Sequence, residues 1–355
     1  MKTFALYRYP HEDMYHGIEQ TDGQPILLPS VAAIGGHSGF VVAPFAPSPE
    51  QPVVVIRPDI TYVRPVSAAA DAGFGRVSVP DAAAERERYG VDFRNFHAQL
   101  ADETFGKIVL ARCSHAVAES EGDAEKLFLR ACNMYPRMFV ALVSAPQCGV
   151  WLMATPEILL RGQGSQWATV ALAGTMRLTG EQLDFDTPGA HTTPHDICWS
   201  TKNRYEQRYV ADYIEQCIEQ FSADFEANGP YTTRAGDLVH LRTDFGFSLD
   251  ADADIGAVAN LLHPTPAVCG LPKYGAFDFI MANESVPRGY YSGFAGPLNI
   301  AGATSLYVSL RCMRIEGCHL YMYAGGGLLA DSVEEDEWNE TEAKLATMRR
   351  LLDGE

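Results

Sequence analysis

No CxxC pair occurs among the eight cysteines of this 355-residue chain, which removes the spacing that zinc sites and dithiol redox centres need. Most of the cysteines, Cys113 and Cys312 among them, lie inside apolar stretches, so reduced, buried thiols in a cytoplasm are expected rather than a disulfide framework. Long hydrophobic runs are missing too. The apolar run Met138 to Ala145 is far shorter than the ~20 residues that span a bilayer, and the N-terminal MKTFALYRYP has no continuing apolar segment of the secretory kind. Positive charge is scarce: 27 Lys and Arg stand against 45 Asp and Glu, a formal net charge of −18. Nucleic acid and anionic membranes would be repelled at long range, and an anionic substrate would need cations gathered locally. With no linker, low-complexity tract, heptad array or short repeat, residues 1–355 are expected to form a single large domain, and a 47% hydrophobic content supports a substantial core.

What is present begins to speak after about residue 95. Residues 1–95 mix short apolar runs with Pro, Gly and Ala-rich turns and carry no motif that connects to chemistry. From Phe105 on, strand-like runs are read at KIVLAR, Met138 to Val143, Val150 to Ala154, Ile158 to Arg161, Trp167 to Ala171, Ser305 to Arg314 and His319 to Tyr323. Helical periodicity appears at Asp123 to Met134, Ser200 to Phe221, Ile255 to Leu262, Ala276 to Ala282 and Glu334 to Leu352. Hairpins and segregated helices predict an α+β fold.

Several charged residues admit both a structural and a chemical role. Glu206, Val210, Tyr213, Cys217 and Phe221 recur at helical spacing, which turns a carboxylate toward an apolar stripe. It either meets a hard cation such as Mg²⁺ or stays at the stripe's edge with Lys202 or Arg208. Glu337, Glu340 and Lys344 share one face of the last helix, and Ser332 with Glu335 reads as a capping box that starts it. The glycines of Ala324-Gly325-Gly326-Gly327 just before would let backbone N–H groups approach an anion; an ordinary glycine turn is the alternative. Alternation along KIVLAR turns either Lys107 or Arg112 inward; a lysine at the strand's open end reaching solvent is the first reading, and a desolvated lysine able to act as a general base is the second. Glu157, after Ala154-Thr155-Pro156, is a turn residue or a proton donor. Arg311, inside the alternating YVSLRCMR, would suit bidentate carboxylate binding. His263, in the rigid loop HPTPAVCGLP, is read first as a loop tether and second as a ring contact.

The ordered set KIVLAR, TPEILL, LAGT, KNRYEQRYV, HPTPAVCG, ESVPRGYYSG, LRC, AGGGLL and EWNETEAKL resembles the chorismate-binding enzymes, from about residue 100 to the C-terminus. That resemblance implies a sandwich-like core of antiparallel sheets flanked by helices. It implies Glu206, Glu337 and Glu340 as ligands of Mg²⁺, with Arg311, Lys344 and the backbone of Gly325 and Gly326 binding the carboxylates of chorismate. Ala173, Gly174 and Thr175 would line the ring pocket with His263. Within the family, Lys107 resembles the lysine that water-using members place beside C2 of the ring. Ala173 stands where a lysine nucleophile would otherwise be. Leu172 and Ala173 resemble the isochorismate synthase version of this motif. The implied chemistry is addition of water at C2 with Lys107 as base, and loss of the C4 hydroxyl with Glu157 as acid. No amidotransferase partner is expected, and the product would feed menaquinone or siderophore biosynthesis. Salicylate synthase, which would go on to expel pyruvate, and a non-catalytic binder are the rivals. Gln207, Ala171, Gly326 and Pro287 depart from the family's usual residues.

Overall fold

The computed structural model describes residues 1–68, 72–187, 193 and 196–353. Two antiparallel sheets dominate. The first runs, in spatial order, Gly270–Leu271, Lys107–Ala118, His319–Leu328, Cys312–Glu316, Gly149–Thr155, Phe139–Ala145, Thr3–Arg8, Met14–Gln20 and Ile60–Pro65, with Val77–Ser78 also paired to the Lys107 strand. The second runs Phe225–Ala235, Leu238–Ser248, Gln166–Arg177, Ile158–Gln163, Ala303–Val308, Phe294–Leu298, Gly39–Ala43, Val53–Ile56 and Ile26–Leu28.

The sheets pack face to face. Tyr7, Phe139 and Trp151 of the first meet Phe40, Leu172 and Tyr307 of the second in one buried cluster. The rings of Phe139 and Tyr307 stack 4.0 Å apart and within 1° of parallel. Full burial of a large apolar side chain contributes roughly 1.5–3 kcal/mol, so such an interlayer holds the two sheets firmly together. Thr201–Ile218 and Ile255–Leu262 cover the outer face of the second sheet, and Ala124–Met134 and Glu334–Arg349 that of the first. Covering both faces explains why Val53–Ile56 and Phe139–Ala145 are buried at every position instead of alternating. The fold is α+β, as the pattern of elements predicts. The quiet N-terminal third supplies strands to both sheets and the helix Ala82–Ala101.

Three local expectations are corrected. Ser305 to Arg314 is not one strand: Ala303–Val308 lies in the second sheet and Cys312–Glu316 in the first, with Arg311 between them at a φ of 44°. The glycines 325 to 327 do not form a loop but continue the strand His319–Leu328, in register with Val109 to Ala111. The Ser332/Glu335 capping box does not form. The Ser332 hydroxyl accepts from Leu329 N, the helix starts at Glu334 with Val333 as its cap, and Glu335 pairs with Arg86.

The chain passes between the sheets twice at one place. Thr155 ends a strand of the first sheet and Ile158 begins one of the second; Val308 ends a strand of the second and Cys312 begins one of the first. Backbone hydrogen bonds stitch the two crossings together, Ala154 N to Arg311 O at 3.1 Å and Val308 N to Glu157 O at 2.9 Å. Glu157 and Arg311 are therefore the residues of this seam, and the cavity opens beside it.

Candidate active site

Lys107 is the first residue of its strand and is fully buried. Its Nζ lies 3.1 Å from Glu206 Oε1. The neighbouring strand makes room only because residue 327 is glycine: a Cβ there would stand 2.1 Å from Glu206 Oε1 and 2.7 Å from Lys107 Cε. Of the two charges in KIVLAR, both are buried, but Arg112 is spent on Thr341 and Glu342 of the last helix. The strand itself is held from behind by a buried pair the sequence reading passed over. Arg288 donates to both oxygens of Glu284 and to Val109 O and Val268 O, while Glu284 accepts from Ala111 N at 2.7 Å.

Glu157 lines the cavity, with the Thr265 hydroxyl 3.5 Å from Oε1. Burial pushes its carboxyl up to about 8, against the pull of Lys107, so it carries a proton at neutral pH. A carboxylic acid kept neutral in this way is suited to donating a proton.

Across the cavity, Leu172, Ala173, Gly174 and Thr175 form the wall. The strand bulges here: its register against Leu238–Ser248 slips between Ala173 and Thr175, and Gly174 takes a φ of 69°, a conformation glycine adopts without steric cost. The bulge aims Gly174 N at Glu206 Oε2, 3.2 Å away, and Gly174 O at His240 Nδ1, 3.0 Å away. Gln207 fixes its neighbours, accepting from Ala173 N at 2.8 Å and donating to Ala171 O and Thr243 Oγ1.

His240 was not foreseen. A carbonyl only accepts, so Nδ1 must carry the hydrogen and Nε2 the lone pair, and that lone pair faces Arg311 Nη2 at 3.0 Å. Burial, then Arg311 and Lys344, hold the ring well below its usual range, which keeps it neutral. Arg311 is buried beside the cavity, with Nη1 on Thr347 Oγ1 at 3.2 Å; burial lowers it to about 10, and it remains a cation. An unbroken strand would have turned Arg311 differently. The crossing between sheets is what delivers it here.

The last helix brings three charges to the same region. Lys344 Nζ donates to Gly325 O at 2.8 Å and Glu340 Oε1 at 2.7 Å. Glu337 is almost wholly buried and bonds Lys202; burial, then the charge of Glu340, raise it to about 7 against Lys202's opposing pull. Glu206 pairs with neither Lys202 nor Arg208. Burial disfavours its charge, but Lys107, Lys344 and Lys202 outweigh that and hold it below the usual range.

Two residues expected to contact substrate are not among those lining the cavity. His263 does not line the cavity among its described residues. It is buried with Nε2 3.2 Å from Phe45 O, its ring packs edge-on to Phe294, and its carbonyl accepts from Lys273. It is the loop tether. Gly325 borders the cavity, but Gly326 faces the opposite way: a Cβ there would be 3.2 Å from Glu337 Oε2 and 3.6 Å from Glu340 Oε1. Successive residues of a strand point to opposite faces, and the glycines are in a strand.

Among the described residues, no three His, Cys, Asp or Glu side chains are already gathered around one point as a metal centre. The donor chemistry nevertheless suits a hard cation. Glu337 Oε2 is buried without a hydrogen-bond partner, and Gly326 leaves open the space between it and Glu340.

The family model of chorismate binding enzymes matches residues 72–353. The chain belongs to the chorismate-binding enzyme family. It is 31% identical over 264 residues to the isochorismate synthase DhbC of Bacillus subtilis, covering 72% of this chain and 65% of that one. It is 32% identical over 292 residues to the salicylate biosynthesis isochorismate synthase of Pseudomonas aeruginosa, covering 78% and 58%. The aligned parts thus span less than two thirds of these curated relatives. Among solved structures, the menaquinone-specific isochorismate synthase MenF of Escherichia coli superposes with a TM-score of 0.82 at 22% identity, covering 99% of this chain and 89% of that one. Anthranilate synthase component I of Streptococcus pneumoniae gives 0.69 at 17% identity, covering 98% and 90%. These two structures share the fold of this family member.

Proposed function

We propose that this chorismate-binding enzyme converts chorismate to isochorismate. The observation that carries the reading is a buried carboxyl, Glu157, facing a cavity that is also lined by Arg311, Lys344 and Glu206, the last paired 3.1 Å away with the buried Lys107. As general base, Lys107 takes a proton from water as the oxygen bonds to C2 of the ring. The ring double bond shifts, the C4–O bond breaks, and Glu157 gives its proton to the departing hydroxyl, which leaves as water. One water enters and one leaves, so substrate and product are isomers; returning the proton from Lys107 to Glu157 through solvent resets the site. Arg311 and Lys344 supply the local cations that a dicarboxylate requires in a chain of net charge −18.

Glu206, Glu337 and Glu340 would hold Mg²⁺, which when bound would supply a charge clamp on the substrate's ring carboxylate. The names of the curated relatives support the synthase reading. Lys107 supports water as nucleophile, since ammonia needs no such base.

The test is incubation of the purified chain with chorismate, with and without Mg²⁺, and identification of products by chromatography and mass. Isochorismate without pyruvate is the expected result. Salicylate with pyruvate would replace the reading by salicylate synthase, and unchanged chorismate would leave a binder.

A further inference from the structure

Each of the three carboxylates is matched to one lysine: Glu206 to Lys107 at 3.1 Å, Glu340 to Lys344 at 2.7 Å and Glu337 to Lys202. With every member ionised, the set is electrically neutral. A divalent cation added to it leaves an excess of two positive charges in a poorly solvated place, and that excess falls if one ammonium withdraws to water.

The three lysines are not equally able to withdraw. Lys107 is fully buried beneath Gly327, and Lys344 is tied a second time to Gly325 O. Lys202 is on the first turn of its helix with its side chain 24% exposed, and among the described residues its ammonium has no hydrogen bond besides the one to Glu337. Glu337, whose side chain is only 1% exposed, receives that bond on Oε1 alone, and its Oε2 is buried with no partner. It is a half-satisfied carboxylate facing the space above Gly326.

We propose that Lys202 is a resident counter-cation that competes with the divalent ion for Glu337, keeping the metal-free site neutral and swinging to solvent when the metal enters. Lys202 thereby sets how tightly the metal binds. This rests on Glu206, Glu337 and Glu340 being the metal ligands.

The experiment is calorimetric titration of Mg²⁺, and of Mn²⁺ as a second probe, into the substrate-free protein. Wild type, Lys202→Met, Lys202→Arg and Glu337→Gln are compared, and the melting temperature is followed with and without metal. Lys202→Met should bind metal about tenfold or more tightly than wild type, the scale of one removed coupling between ligands. It should also melt lower without metal and gain more on its addition, because Glu337 is then left buried and unpaired. Lys202→Arg, which keeps a competing cation, should bind like wild type. Equal or weaker binding by Lys202→Met, with wild type binding and Glu337→Gln not, would overturn the counter-cation role and leave the metal ligands standing. No metal binding by wild type or Lys202→Met, or undiminished binding by Glu337→Gln, would overturn both.

Discussion

On the proposed reading a single buried carboxyl and a single buried amine carry the chemistry, and each makes a separable prediction. Lys107→Ala should lower turnover by about 10²- to 10⁴-fold, the range of a general base, while chorismate binding measured by calorimetry persists. Glu206→Ala should instead lose the metal-linked part of that binding. Full turnover in Lys107→Ala would remove the base assignment. Glu157 adds a pH signature. Its raised value near 8 means that the protonated acid is available below that pH and disappears above it, so kcat/KM should fall as pH rises through about 8. The same shift affects stability. The folded chain holds this proton more tightly than the unfolded one, so the carboxyl's contribution is full below about 4.5 and is lost as pH rises to about 8. Comparing urea midpoints of wild type and Glu157→Gln across that window should show wild type declining relative to the variant. Residues of this kind were legible because they sit in short ordered motifs. His240 was not: in LVHLRTDF it is one polar position of a buried strand, and only the bulge at Gly174 and the placing of Arg311 give it partners.

Elements matter through what they permit side chains to do. The strand His319–Leu328 carries three consecutive glycines, and the sequence suggested a turn because glycine is usually punctuation. Here each missing Cβ is a space taken by someone else: the Tyr291 hydroxyl at 325, the Glu337 and Glu340 carboxylates at 326, the Lys107–Glu206 pair at 327. Gly327→Ala should therefore displace Glu206 and Lys107 and reduce turnover by about 100-fold or more, as misplacement by an ångström can do, in a chain whose far-UV circular dichroism is unchanged. The Lys107 strand also depends on Glu284 and Arg288. Arg288→Ala leaves a buried carboxylate unpaired and should cost about 3–5 kcal/mol in denaturant unfolding. The strand periods failed as a guide where both faces are covered, and the break at Ser309 to Arg311 left no local mark because the residues that flank it, Tyr307 and Val308 before and Cys312 and Met313 after, are all buried and apolar.

At the scale of the molecule, the strong negative charge and the cationic cavity act over different distances. Chorismate is a dianion and should be repelled far from the surface, yet held close by Arg311 and Lys344. Salt at about 0.15 M screens beyond about 8 Å, which weakens the long-range repulsion more than the contacts within the cavity. KM for chorismate should consequently hold steady or fall as ionic strength rises from very low values to 0.15 M. A steep rise would show that surface charge assists capture. Class of fold was readable from the mixture of hairpins and helices, but the sandwich's closure was not, since the N-terminal strands that complete both sheets carry no motif and join each sheet through a partner more than a hundred residues away, Thr3–Arg8 through Phe139–Ala145 and Gly39–Ala43 through Phe294–Leu298.

The seam where the chain twice changes sheets behaves as a rivet. Ala154 is bonded to Arg311 and Val308 to Glu157, so the proposed proton donor and carboxylate anchor belong to one small backbone unit. Any motion that parted the two sheets would have to carry these two groups together, so the gauge length between Glu157 and Arg311 would stay constant while the cleft changed width.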